Sequence, residues 1–191
     1  MRLLIVGPQG AGKGTQAALL AESLGIPHVS TGDLFRANLA GGTELGMLVK
    51  KYVDSGELVP DEVTQDMVAD RVSQPDAEPG FLLDGFPRNI TQADWLTAML
   101  DGRHAPIERV VLLTAPDQVL LDRMLSRGRA DDTIEAITRR LDIYHRETTP
   151  LIDYYDGRVV HVDGVGEVDE VHQRVLEAVR SLPTAAGELR G

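Results

Sequence analysis

Apolar residues along the chain fall into short unbroken runs, separated by longer stretches with a helical repeat. The runs are Leu3–Val6 (LLIV), His28–Ser30 (HVS), Phe81–Asp84 (FLLD), Val110–Leu113 (VVLL) and Val159–Val162 (VVHV). Continuous apolarity, rather than strict alternation, suits a strand covered on both faces, so these runs predict five strands of a buried parallel sheet. The first helical pattern places Ala17, Leu20, Ala21 and Leu24 at i, i+3, i+4 and i+7, and Gly25 and Pro27 end it. Further helices are expected near Asp117–Ser126, where Val119, Leu120 and Met124 are apolar, near Asp132–Tyr144, and near Val168–Leu182. Strands alternating with helices predict an α/β, doubly wound fold: a parallel sheet flanked by helices in three layers. One domain accounts for all 191 residues. The small, polar segment Pro183–Gly191 (PTAAGELRG) reads as a frayed tail.

Composition narrows the chemistry. A formal net charge of -11 argues against broad binding to nucleic acid or anionic membranes, but not against one small anion held by a few arginines. The chain has no cysteine, which excludes disulfides and thiolate-bound zinc. No apolar run approaches the roughly 20 residues of a membrane span. The start, MRLLIVG, is too short in apolar residues for a signal peptide and reads as the first strand, so a cytoplasmic protein is expected. The histidines (His28, His104, His145, His161 and His172) are scattered without metal-ligand spacing. His145 reads as a hydrogen-bonded structural residue at a helix end, and Trp95, Tyr154 and Tyr155 read as packing.

Gly7, Gly12 and Lys13 match G-x-x-x-x-G-K, directly after the first strand and directly before the first helix. That context marks a phosphate-binding loop: glycines let successive N–H groups turn inward on an anion, the helix N-terminus adds its dipole, and Lys13 supplies a point charge. Gly14 then stands where the general pattern has Ser or Thr, so the simplest Mg²⁺ ligand is missing; Thr15 offers a hydroxyl one place later. In STGDLFR (Ser30–Arg36), Asp33 reads equally as a helix N-cap with Arg36 exposed. In LLDGFPRNITQ (Leu82–Gln92) a strand ends in Asp84, turns through Gly85 and Pro87, and presents Arg88. A carboxylate at that strand end, with a phosphate loop elsewhere, is where hydrated Mg²⁺ would be held.

These segments, with GELVPD and YHRETTPLIDYY (Tyr144–Tyr155), resemble the nucleoside monophosphate kinases, and among them the adenylate kinases. The resemblance runs from the N-terminus to about Leu182, and in that family Gly then Thr after the loop lysine is the usual form. It implies a P-loop kinase fold, the reaction ATP + AMP ⇌ 2 ADP, Mg²⁺ as cofactor, and a monomer. By the same resemblance Gly10, Ala11, Gly12, Lys13, Gly14 and Thr15 hold the donor phosphates. Thr31 and Arg36 contact AMP, and Glu57, Leu58 and Val59 line the adenine pocket. Gly85, Phe86, Pro87 and Arg88 continue that pocket, with Arg88 on the AMP phosphate, and Gln92 reads the adenine edge. A Gln amide offers a donor and an acceptor side by side, which suits N6 and N1 of adenine. Uridylate/cytidylate kinases are also similar but typically carry Ala for Thr31 and Asn for Gln92, so this pair favours AMP.

Arg123 and Arg127 are four apart and share a helix face; Arg129 follows Gly128, and Arg140 lies on the next helix. Alone, they read more simply as a solvated basic patch balanced by Asp122, Asp131 and Asp132. The resemblance makes them a short lid, with Arg123 on the donor adenine, Arg127 on donor phosphates, and Arg129 and Arg140 bridging to the acceptor; Asp131 would orient one of them. No zinc is expected. Gly164 and Gly166 would offer backbone to the donor base. Lys13, Arg88, Arg127, Arg129, Arg140 and Mg²⁺ would then supply the catalytic charge, with Asp84 on the metal through water. Two mobile parts follow: an AMP-binding segment, Ser30–Val59, and the lid, Ser126–Asp132. The competing readings are a uridylate/cytidylate kinase and a phosphate-loop switch that binds nucleotide without transferring phosphate.

Overall fold

A computed structural model describes residues 1–102, 104–129 and 132–181. Its sheet has five strands, β1 (Arg2–Val6), β2 (His28–Ser30), β3 (Phe81–Asp84), β4 (Arg109–Thr114) and β5 (Val159–Asp163), in the spatial order β2-β3-β1-β4-β5. Every pairing is parallel. The chain winds from β1 to one side and then crosses to the other, so the crevice opens at the C-terminal end of β1, where an open α/β sheet binds ligands.

Alternate residues of β1 build the two cores. Leu3 and Ile5 face α1 (Lys13–Leu24), α6 (Asp117–Arg127) and α9 (Val168–Ser181), packing on Leu20, Leu120 and Val175. Leu4 and Val6 face α4 (Asp61–Val72) and α5 (Ile90–Asp101), packing on Val68, Val72, Leu96 and Leu100. Each fully buried Leu or Ile contributes about 2 kcal/mol of hydrophobic stabilisation, and burial on both faces is why the strands read as unbroken apolar runs. A third, small cluster of Phe35, Val49 and Val59 joins α2 (Thr31–Ala40) to α3 (Glu44–Ser55). These two helices fall within Ser30–Val59, a segment for which the apolar pattern had named no helix.

Ser30, not Asp33, caps α2: its hydroxyl accepts from the Asp33 N–H at 3.2 Å. α6 ends at Arg127 and α7 (Ile134–Ile143) begins shortly after, so there is no inserted domain between them. A π-helical turn, Tyr144–Thr148, then leads to the short α8 (Leu151–Tyr154). Tyr155 is buried in the second core, and Trp95 meets Phe86 edge-on at 5.8 Å, as packing residues should. His145 is exposed, with its ring against Tyr144, so it is not the bonded helix-end residue expected. The proposed tail Pro183–Gly191 and the role assigned to Asp131 lie outside the described residues.

Candidate active site

The phosphate loop leaves β1 at Gly7, where a side chain would lie 2.1 Å from the Leu113 carbonyl oxygen at the end of β4. Only glycine fits between the strands there, and its φ of 148° lies outside the range of other residues. The loop enters α1 at Lys13, whose Nζ donates to the Pro8 carbonyl at 2.9 Å. Burial lowers the Lys13 ammonium to about 8; Asp84 opposes this, while Arg88 and Arg127 add to it. A lysine starved of solvation beside other cations awaits an anion.

The loop borders a cleft of about 760 Å³, and all of Gly10–Thr15 line it, together with Asp84, Arg123, Arg127, Arg129 and Gly166. A smaller cavity of about 70 Å³ adjoins it, lined by Thr31, Glu57, Leu58, Val59 and Gln92 among others. Arg36, Arg88, Arg140 and Gly85 stand on the walls of both. Phe86 is the exception among the expected contacts: it lines neither cavity and is buried in the core against Trp95, so only its neighbours Gly85 and Pro87 face the cleft.

The structure also shows what holds each cation. Arg88 Nε donates to the Gly85 carbonyl at 2.8 Å, and the Arg88 carbonyl accepts from Thr148 Oγ1 at 2.8 Å. Thr148 lies in the π-helical turn, a local irregularity of the sort that often marks functional sites. Burial lowers the Arg88 guanidinium from its ordinary value; Asp84 opposes this, and Arg140 and Arg36 reinforce it. At Gly85 (φ 82°) an added Cβ would stand 2.6 Å from Thr31 Oγ1, which donates to the Gly85 carbonyl at 3.0 Å. Arg123 Nη2 donates to the Gly164 carbonyl at 3.0 Å, beside the loop expected at the donor base. Arg36 is tied to Asp33 at 2.5 Å.

Arg127 and Arg140 share one carboxylate, Asp132: Arg127 donates at 2.5 and 2.7 Å and Arg140 at 3.0 Å. The Asp132 side chain is 1% exposed. Burial raises its carboxyl, but the hydrogen bond and charge of Arg127 and the charges of Arg140 and Arg129 outweigh this, and the net shift is downward. Arg140 also donates to the Val53 carbonyl of α3 at 3.1 Å. Sequence spacing could not tell Asp132 from its neighbour.

The residues fit a hydrated Mg²⁺. Asp84 is nearly buried at the end of β3 and lines the main cleft. A Cβ at Gly14 would come within 3.7 Å of Asp84 Oδ2, so the glycine leaves open the space that a Ser or Thr side chain would fill. One carboxylate, phosphate oxygens and retained waters are a donor set Mg²⁺ accepts. His28 Nε2 lies 3.5 Å from Asp84 Oδ2, a neighbour that the sequence reading missed.

Comparison with known proteins agrees with this architecture. The sequence model of the family described as adenylate kinase matches residues 5–160. An adenylate kinase of Nocardia farcinica is 54% identical over 179 residues, 94% of this chain and 99% of that protein. One of Rhodococcus erythropolis is 53% identical with the same coverage. One of Micrococcus luteus is 52% identical over 98% of this chain and 95% of its own length. A match of this extent, over a sheet and phosphate loop arranged as described, places the chain in the adenylate kinase family.

Proposed function

We propose that the chain catalyses reversible transfer of the terminal phosphoryl group of ATP to AMP, giving two ADP, with the residues described above in the following roles. ATP lies in the larger cleft, its phosphates on Gly10–Thr15 and its base near Arg123, Gly164 and Gly166. AMP lies in the smaller cavity, its base among Thr31, Leu58, Val59 and Gln92. The observation that carries this reading is the shared wall: Arg36, Arg88 and Arg140 stand where the two cavities meet, so two phosphate chains would converge on them.

Phosphoryl transfer asks little covalent chemistry of a protein; alignment and charge neutralisation do most of the work. Lys13, Arg88, Arg127, Arg129 and Arg140 supply the charge, and no general base is needed, because the attacking phosphate oxygen is already anionic. Asp84 would hold Mg²⁺ through water, and the bound ion would supply positive charge to the phosphate oxygens. Closure of the flap, Ser30–Val59, and of the short lid, Ser126–Asp132, excludes water that would otherwise accept the phosphoryl group. All these groups belong to one chain, so a monomer suffices. No helix among the described residues is long and apolar enough to cross a membrane, which suits an enzyme working in the cytoplasm.

A coupled assay of ATP consumption with AMP, UMP or CMP tests reaction and acceptor together. AMP is expected to be the preferred acceptor by a wide margin; equal or better use of UMP or CMP would reject the assignment. Two adenosines joined by five phosphates should bind far more tightly than ATP, whereas equal affinity would mean a single nucleotide pocket.

A further inference from the structure

Gln92 is 2% exposed, and its amide is held at both ends. Its Nε2 donates to Asp61 Oδ1 at 2.7 Å, and its Oε1 accepts from the Arg88 backbone N–H at 2.7 Å. Neither contact survives a reversal of the amide, because a backbone N–H only donates and an ionised carboxylate only accepts. Asp61 is anchored in turn. It opens α4, and both its oxygens accept from Asn89 Nδ2, at 3.1 and 3.3 Å. Asn89 Oδ1 meanwhile caps α5 by accepting from the Gln92 N–H at 2.8 Å. Gln92 lines the smaller cavity; Asp61 lines neither cavity and acts from behind it.

We propose that Asp61 is a positioning residue that sets base choice at the acceptor site by locking the direction of the Gln92 amide. The inference rests on the reading of the smaller cavity as the acceptor-nucleotide pocket. With its two fixed bonds made, Gln92 keeps one lone pair on Oε1 and one N–H on Nε2, side by side. A base with an amino group beside a ring-nitrogen acceptor, as in adenine, complements that pair. A base with a carbonyl beside a ring N–H, as in hypoxanthine, sets acceptor against acceptor and donor against donor. To suit hypoxanthine the amide must turn half a revolution. Its NH₂ would then face the Arg88 N–H, and its carbonyl would face the Asp61 carboxylate. Both contacts are repulsive, and Asp61 supplies one of them.

The test compares kcat/KM for AMP and for IMP, whose base differs from adenine at this edge alone, with ATP as donor. Wild type, Asp61→Ala, Asp61→Asn and Gln92→Ala are measured side by side. The AMP/IMP ratio is expected to fall about tenfold in Asp61→Ala, the worth of one buried polar contact. It should also fall in Asp61→Asn, whose NH₂ tolerates the turned amide, and lowest of all in Gln92→Ala. The KM for ATP should stay within about twofold in both Asp61 variants, since Asp61 is remote from the donor cleft. If Asp61→Ala does not fold, Asp61→Asn, which keeps the shape and one acceptor, carries the test. An equal loss of kcat/KM for both nucleotides would mark a purely structural role and overturn the inference. So would an unchanged ratio while AMP is still turned over. Failure of the wild type to use AMP would overturn the functional reading, and this inference with it.

Discussion

On the phosphate-loop side of the cleft the wall is made of backbone. Gly10–Thr15 line it at the start of α1, and the sheet beneath fixes their course. On the opposite side the wall is made of long cationic side chains, most of them already engaged by protein groups. Arg36 holds Asp33, Arg127 and Arg140 hold Asp132, and Arg88 holds the Gly85 carbonyl. Backbone dipoles cannot leave and need no partner to stay in place. Converging guanidinium groups repel one another, and internal carboxylates offset that charge. The loop half is therefore set by folding, while in the proposed reaction the arginine half would exchange one anion for another.

The sharpest way to break this contrast is Arg88→Ala. Arg88 is the cation on the wall of both cavities whose guanidinium bonds to a carbonyl rather than to a carboxylate, and it sits among Arg36 and Arg140. Its removal is expected to lower turnover about 10³-fold, roughly 4 kcal/mol of barrier, as seen for single cations in phosphoryl transfer. The fold should be intact by circular dichroism. Near-normal turnover would mean that the phosphates do not meet at this wall.

The same contrast explains how much could be read from the sequence. The five strands were legible because burial on both faces leaves unbroken apolar runs. The phosphate loop was legible because Gly7 and Lys13 have one physical reason to stand where they do. The helices α2 and α3 went unread although Leu45, Val49, Tyr52 and Val53 of α3 stand at i, i+4, i+7 and i+8, a stripe that packs on Phe35 and Val59 apart from the two sheet cores. Side-chain pairings were least legible. Asp132 and Asp131 are equivalent by spacing, and Ser30 competes with Asp33 for the cap. Asp61 reaches Gln92 from 31 residues away, with no local signal at all. The resemblance implied Phe86 in the pocket with Gly85 and Pro87, yet its ring is buried in the core, where an aromatic side chain gains more.

Asp132→Asn sharpens the comparison on the lid. It keeps the shape but removes the charge that holds Arg127 and Arg140, and should cost about 2 kcal/mol of stability near neutral pH. The folded carboxyl lies below its ordinary value of 3.8, so the unfolded state takes up its proton first as the solution is acidified. The stabilisation is thus complete well above 3.8 and is lost as pH falls through the lower folded value. The gap in melting temperature between wild type and Asp132→Asn should be constant from about pH 6 to 8 and shrink in acid. A gap independent of pH would mean that the carboxylate's charge is not what holds the arginines.

Lys13→Met probes the donor side, where the one charged side chain of the loop has no carboxylate bound to it and donates instead to the Pro8 carbonyl. The folded protein keeps this ammonium at about 8 against an ordinary 10.5, so folding without nucleotide opposes its charge. Between those values the unfolded chain binds more protons than the folded one, and stability rises with pH. The penalty is full below about 8 and fades towards 10.5. Lys13→Met should therefore abolish useful turnover yet stabilise the nucleotide-free protein at pH 7 by about 2 kcal/mol, the roughly 3 kcal/mol of the shift less the lost bond to Pro8, an advantage that fades in alkali. Denaturant unfolding at pH 7 and pH 9.5 measures both. Binding of ATP to the wild type at pH 8.5 should likewise draw a proton from buffer, because phosphate restores the ammonium; calorimetry in buffers of different ionisation enthalpy reads that uptake directly. A variant no more stable than wild type at pH 7, with no proton uptake on binding, would show that the loop lysine is comfortably solvated, and that both halves of the cleft wait for nucleotide without strain.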